Sequence, residues 1–305
     1  MATPTPDDRE LVKRSGREYT WGDFAKKVVS IIAARHTSAY QTICVNDVYD
    51  LENTIKDDER DRRSSKVKVA PNLPVKAADK LQSSLHFKSA LANSSNKVRL
   101  QILIEHCLRE YCSVSGKEII YCKNVATNLL TNVPVEEFNL KHAEADKVIF
   151  TTYYHVRENG WQGPVLIDAE DTDIYIQASY VSHEIEGKLL IRRKQIFVDC
   201  RSMLSDEIAA IIIQLYDISG NDHNCGFYGR GKKAILEKVM KSPEARYLLL
   251  ASGDTIPITK NVLKKLKKFV LKFVYGTKKS TCAEAEAYKL FLSRLDLKIS
   301  PTFLK

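Results

Sequence analysis

The chain has 305 residues, 44% of them apolar and 28% charged, with a net charge of +9. Such a balance excludes a disordered polyampholyte and leaves enough apolar material for one large domain or two smaller ones. The seven cysteines form no Cys-x-x-Cys pair, which argues against a zinc ribbon or a disulfide framework, and no apolar run reaches membrane-spanning length.

In chain order, residues 1–18 read as a polar leader with Pro4, Pro6, Asp7 and Asp8, carrying both charge signs and so not a secretory signal. Trp21, Phe24, Val28, Ile31 and Ile32 recur at helical spacing and predict a helix over Tyr19–Ala34. Thr42–Val45 is a short buried strand ending at Asn46-Asp47. Residues 53–76 are highly charged and then contain Pro71 and Pro74, as an exposed linker or lid does. Residues 77–112 read as helical and 118–122 as a strand. A helix is expected near 142–158, a strand at 164–168 and a strand or hairpin at 188–198. Helices follow at 205–217, 231–250, 260–274 and 283–293. Short apolar strands alternating with helices indicate an open α/β sheet, whose ligands bind beyond the carboxyl ends of the strands.

Chemistry is concentrated in the acidic residues. The apolar run Val165-Leu166-Ile167 leads directly into Asp168, Glu170, Asp171 and Asp173. Neighbouring carboxylates raise one another's pKa, and a divalent cation is the usual way to keep several ionised together. Glu144-Ala145-Asp146 and Asp222 lie beside other element ends. Glu144 and Asp146 face one point only if they sit at a helix start, where the helix dipole also favours anions. Read pair by pair, these residues are better explained as solvated loop carboxylates or helix caps, and the metal reading rests on several pairs falling in order at comparable element ends.

From Gly229 to Lys279 there are fourteen Lys and Arg against three acidic residues, a balance suited to a polyanion held by its phosphates. Within that stretch Gly229-Arg230-Gly231-Lys232-Lys233 opens a helix, where free N–H groups and lysines meet phosphate. It lacks the Gly-Lys-Ser/Thr ending of a Walker loop. The lysines of 260–274 oppose an apolar face and suit a packed helix whose cations are solvated or meet nucleic acid.

Taken in order, these motifs resemble the flap endonuclease/XPG-type 5′-nucleases of the PIN-like superfamily, and more closely a group of poorly characterised eukaryotic relatives found in mobile-element-like genes. The resemblance rests on Asp47-Val48-Tyr49, on Thr54-Ile55-Lys56 with Arg60, Arg62 and Arg63, and on His142-Ala143-Glu144-Ala145-Asp146. It continues through Glu170-Asp171-Thr172-Asp173, Ser219-Gly220-Asn221-Asp222 and Phe227-Tyr228-Gly229-Arg230-Gly231-Lys232-Lys233.

The resemblance implies an α/β fold with an open, mostly parallel sheet flanked by helices, a helical insert and a C-terminal helix–turn–helix lobe. In this layout residues 19–228 form the nuclease-type domain, with 53–112 as charged linker and insert, and 229–305 form the basic lobe. It further implies two Mg²⁺ or Mn²⁺ ions held by Asp47, Glu144, Asp146, Asp171, Asp173 and Asp222. Lys56 and Arg63 would offset charge at the scissile phosphate, and the Gly229–Lys233 turn would hold a nucleic-acid backbone, DNA ahead of RNA. The expected setting is intracellular, nuclear ahead of cytoplasmic, with no membrane partner. The family begins with an apolar strand ending in Asp-Gly, which supplies the middle of the sheet and one ligand, and no such run precedes Tyr19. Two other readings therefore stand beside the nuclease: a catalytically degenerate nucleic-acid-binding module, and an interaction protein with a structural acidic cluster.

Overall fold

The computed structural model describes residues 20–49, 72–73, 75–77, 87–123, 125–138, 144–220, 226–227, 230–252, 259–277 and 282–294. The expected leader, most of the charged linker, Lys56, Arg63, His142, Asp222 and Gly229 lie outside them. The chain divides into two compact units. The first runs to Asp171 and includes Leu190–Phe197; the second comprises Thr172–Leu189 and the residues from Val198 onward. The boundary expected at 228/229 thus falls within the second unit.

In the first unit, α1 (Trp21–Arg35) starts at a capping box: Thr20 Oγ1 accepts the Asp23 N–H while Asp23 accepts the Thr20 N–H. The segment expected to be helical over 77–112 contains α2 (Phe87–Leu91) and α3 (Ser94–Ser115). They are separated at Asn93, whose side chain caps α3 through the Ser95 N–H at 2.9 Å. Helix α3 ends at Gly116, where a φ of 68° admits the left-handed turn that a side chain disfavours.

Strand β1 (Thr42–Val45) pairs in parallel with β2 (Ile119–Cys122), Thr42 opposite Ile119 and Val45 opposite Cys122. All four β2 residues are buried, as a strand covered on both faces requires. Ile119 and Tyr121 join Trp21, Phe24, Leu100, Ile104 and Leu108 of α1 and α3 in one core. On the other face Ile120 and Cys122 pack with Val45, Phe138 and Val148, the last from α4 (Ala145–Glu158). The first unit is therefore an α/β arrangement with apolar cores on both sides of its sheet.

The mostly parallel sheet expected from sequence is not what the described strands build. β2 continues into antiparallel β3 (Thr127–Asn128) and β4 (Val133–Pro134), giving a mixed sheet in the order β1-β2-β3-β4. The local reason is a tight turn that only antiparallel strands permit. Asn128 Oδ1 accepts the Leu130 and Thr131 N–H groups, and Asn132 adopts a φ of 59°. A second sheet has the order β5 (Val165–Ile167), β6 (Leu189–Arg193) and β7 (Ile196–Asp199), with Lys194 at a φ of 58° in the β6–β7 turn. Among the described residues β1 has β2 as its one strand neighbour and stands at the end of its sheet.

The second unit is largely helical: α5 (Thr172–Glu184), α6 (Asp206–Ser219), α7 (Lys232–Met240), α8 (Pro243–Leu250), α9 (Lys260–Phe269) and α10 (Ala283–Arg294). Its core joins Ile208, Ile211 and Leu215 of α6 to Ile235, Val239, Leu248, Leu249, Phe269 and Val274. The continuous helix expected over 260–274 changes at Val270 into a π-helical segment, Val270–Tyr275. The carbonyls at that end are satisfied by side chains of α7 and the residues before it. Lys238 Nζ donates to Phe273 O at 2.9 Å, and Arg230 Nη2 to Tyr275 O at 3.3 Å. Burial, and then the charge of Arg230, lower the Lys238 pKa from its ordinary value.

Among the described residues no helix is long and apolar enough to cross a membrane. Cys44, Cys107, Cys112, Cys122 and Cys200 are buried free thiols, as expected of small core residues.

Candidate metal centre and basic surface

Asp47 follows the carboxyl end of β1, where Asn46 extends the pairing by donating both its main-chain N–H and its side-chain amide to Cys122 O at 3.1 Å. The Asp47 carboxylate is held on both oxygens. Oδ1 accepts the Ala145 N–H at 2.9 Å, and Oδ2 accepts the Tyr49 hydroxyl at 3.1 Å. A residue at the end of a strand is thereby fixed to the amino terminus of α4, 98 positions later.

Glu144 is the N-cap residue of α4 and Asp146 lies in its first turn, so both sit at a helix start. Glu144 is 7% exposed and closes no side-chain cap bond on the helix, whereas Asp146 Oδ1 accepts the Lys147 N–H. Three carboxylates thus share one helix amino terminus, where the Ala145 N–H is paired with Asp47 and the Lys147 N–H with Asp146.

Asp171 and Asp173 occupy the loop after β5 and the first turn of α5. The division between the two units falls between them. Among the described residues no three His, Cys, Asp or Glu side chains gather closely enough to hold a metal ion. What is brought together locally is Asp47 and the start of α4, which carries Glu144 as N-cap and Asp146 in the first turn.

Asp168, the first acid of the four-carboxylate run, has a different role. Its carboxylate is 12% exposed and lies 3.5 Å from Arg35 Nη1, 3.5 Å from His36 Nε2 and 3.2 Å from Arg192 Nε. Burial by itself raises its pKa, but the His36 hydrogen bond and the charges of Arg35 and Arg192 prevail and hold it below the usual carboxylate value. This acid is neutralised by side chains and requires no cation.

Sequence reading also passed over Gln101. This α3 residue is 8% exposed, and its Nε2 donates to the main-chain carbonyl of Asp47 at 3.0 Å. Its Oε1 is buried with no hydrogen-bond partner among the described residues. Neither Asp168 with its cations nor Gln101 with Asp47 has a spacing that sequence could reveal, since every pairing is tertiary.

In the second unit, the Gly-rich segment divides by role. A Cβ on Gly226 would come within 2.8 Å of Ser219 O, so this glycine serves close packing at the end of α6. Gly231 is the N-cap of α7 and faces open space, with Lys232 and Lys233 as the first helical residues. Lys232 Nζ lies 4.3 Å from the Tyr216 ring centroid, a cation–π contact. Arg230 is committed to the Tyr275 carbonyl.

The α9 lysines also divide. Lys268 pairs with Glu244 of α8 at 2.9 Å, Lys272 pairs with the same carboxylate, and Lys265 lies over the Tyr247 ring. Lys260, Lys264 and Lys267 form an exposed stripe at helical spacing. The Glu244 pKa is lowered by its hydrogen bonds to Lys272 and Lys268. No protein-family model, curated protein or solved structure matches the chain.

Proposed function

We propose that the chain is a divalent-cation-dependent nuclease of the flap endonuclease/XPG-like type, acting on phosphodiester bonds of DNA or structured nucleic acid. The observation that carries this reading is the Asp47–Ala145 hydrogen bond of 2.9 Å, which joins two acidic segments remote in sequence at one helix amino terminus. Asp47 and Glu144 offer the hard carboxylate oxygens such an ion prefers, and among the described residues they are fewer than the three ligating side chains a metal site needs, so the reading calls on the further acidic segments. Such oxygen sets suit Mg²⁺ or Mn²⁺ and not softer metals.

In this reading Asp47 and Glu144 begin the cation site, with Asp146, Asp171, Asp173 and Asp222 as its further carboxylates. When bound, the cations supply Lewis-acid stabilisation of charge on the phosphate and a more acidic attacking water. The protein's own part is positional. The Ala145 and Tyr49 donors fix the Asp47 rotamer. Lys56 and Arg63 remain the proposed phosphate-neutralising pair. On the second unit, Gly231, Lys232 and Lys233 present an open helix start, and in this reading a helix–turn–helix around residues 229–234 would grip the backbone together with Lys260, Lys264 and Lys267.

A non-catalytic binding module of the same fold is favoured by one feature, the position of β1 at the end of its sheet among the described residues. The two readings separate in one experiment. Branched and linear DNA substrates are incubated with the chain in Mg²⁺, Mn²⁺ or EDTA. Cation-dependent cleavage abolished by Asp171→Ala supports the nuclease. Salt-sensitive binding without cleavage supports the module, and neither binding nor cleavage contradicts both.

A further inference from the structure

Two aromatic groups of the first unit stand in solvent. Tyr40 is 88% exposed, and its ring stacks on Trp161 with centroids 5.8 Å apart and planes 20° from parallel. Phe197 of β7 is 53% exposed and lies 4.8 Å from the Arg192 guanidinium across its ring. A single exposed ring is ordinary on a protein surface, so what matters is that the stacked pair is built. The Trp161 ring lies against the Gly163 main chain, where a Cβ would come within 2.5 Å, and its Nε1 donates to Pro164 O at 3.4 Å. Arg157 Nη1 donates to the Trp161 and Gly163 carbonyls at 2.9 and 2.8 Å. On the Tyr40 side, Lys117 Nζ donates to Thr37 O, and the Ala39 N–H donates to His36 O at 3.1 Å. A platform fixed in this way loses little conformational freedom when a flat group stacks on it.

Cations join the two aromatic groups. Arg35 and His36 meet Asp168, which also meets Arg192, and Arg192 in turn crosses Phe197. Segments 35–41, 157–168 and 191–197 carry five Lys and Arg against Glu158 and Asp168, and Arg193 and Lys194 are exposed at the β6–β7 turn. An aromatic stack alone would take any flat apolar group; the cations beside it select a base carried on a phosphate backbone. A duplex keeps its bases stacked on one another, so an open ring face suits an unpaired strand. We propose that this face of the first unit binds single-stranded nucleic acid, an unpaired base stacking on Tyr40 over Trp161 while Arg193 and Lys194 hold backbone phosphates. Tyr40 precedes β1 and Asp47 follows it, and the face needs no cation, so the inference goes beyond the nuclease reading and stands apart from it.

The probe is oligothymidylate, titrated into the full chain in EDTA so that neither cation binding nor cleavage contributes. Tryptophan emission reads this face even where lysines of the second unit hold the same probe, because Trp21, the other tryptophan, is buried. The expected result is saturable quenching of Trp161. Tyr40→Ala should shift its half-saturation to about five- to a hundredfold higher concentration, the range of one base–aromatic stack, and Tyr40→Phe should leave it in place. The unfolding midpoint checks that the exposed Tyr40 was replaced without loss of fold. Arg193→Ala with Lys194→Ala should weaken the same titration and flatten its salt dependence. Unchanged Trp161 emission, or quenching that Tyr40→Ala leaves at full affinity, overturns the inference. So does equally tight binding of the duplex with oligoadenylate, or equal displacement of the probe by polyglutamate, which would make the face a general polyanion surface. Cleavage in Mg²⁺ without quenching overturns this inference and leaves the nuclease reading standing; quenching without cleavage does the reverse.

Discussion

Replacing Asp168 by Asn removes the anion from a cluster in which Arg35, His36 and Arg192 all approach one carboxylate within 3.5 Å. Asparagine keeps the shape and one acceptor but leaves two guanidinium groups, 33% and 15% exposed, without their counter-charge. Breaking a buried pair from one side costs roughly 3–5 kcal/mol, and the partial exposure of Arg35 places this case lower, at about 2–3 kcal/mol. For units of this size that corresponds to a fall in midpoint of roughly 5–10 °C.

The pH dependence has a definite sign. The folded carboxyl is held below its unfolded value of about 3.9, so in the interval between the two the unfolded chain binds the proton that the folded chain does not. The stabilisation is therefore complete above that value and disappears as pH falls through the lower, folded value. Thermal unfolding followed by circular dichroism should show the full deficit of Asp168→Asn at pH 7 and a shrinking one below about pH 4. An equal midpoint for the two proteins at pH 7, or a deficit that grows on acidification, would refute the assignment of Asp168 to a charge-neutralised structural role.

Two further outcomes follow from how the second unit uses its cations. Lys238→Ala deprives the Phe273 and Val274 carbonyls of a charged donor and, since the lysine is solvent-exposed, should cost about 0.5–1.5 kcal/mol in urea unfolding, whereas Lys264→Ala, on the exposed stripe, should stay within about 0.5 kcal/mol. Glu244→Gln frees Lys268 and Lys272 from their shared carboxylate, so oligonucleotide binding by fluorescence anisotropy should tighten at low salt and its salt dependence steepen; unchanged binding would remove these two lysines from the nucleic-acid surface.

Much of the local structure was legible in the sequence because it is set by local rules. The helical spacing of Trp21, Phe24 and Val28 is α1, the apolar run at 165–167 is β5, and Glu144 and Asp146 do stand at a helix start. The hairpin of β3 and β4 escaped notice because its strands are two residues each, too short for any alternation to show. The π-helical end of 260–275 was hidden for another reason. Its carbonyl partners, Lys238 and Arg230, come from more than thirty residues away, and sequence periodicity carries no trace of them. The acidic residues were visible as types but not as roles. Asp168 stands in the acidic run but outside the expected metal ligands, and its pairing with Arg35, His36 and Arg192 is tertiary and leaves no sequence signal, as is true of Gln101.

The central claim is that Asp47 and Glu144 begin a divalent-cation site. Isothermal titration of Mn²⁺ into the full chain, beside Asp47→Asn and Glu144→Gln, tests it most directly. The account predicts saturable binding by the natural chain that each substitution weakens at least tenfold, a loss typical of disturbing a metal ligand or its support. Binding equally strong in all three proteins, or none in the natural chain, would contradict it.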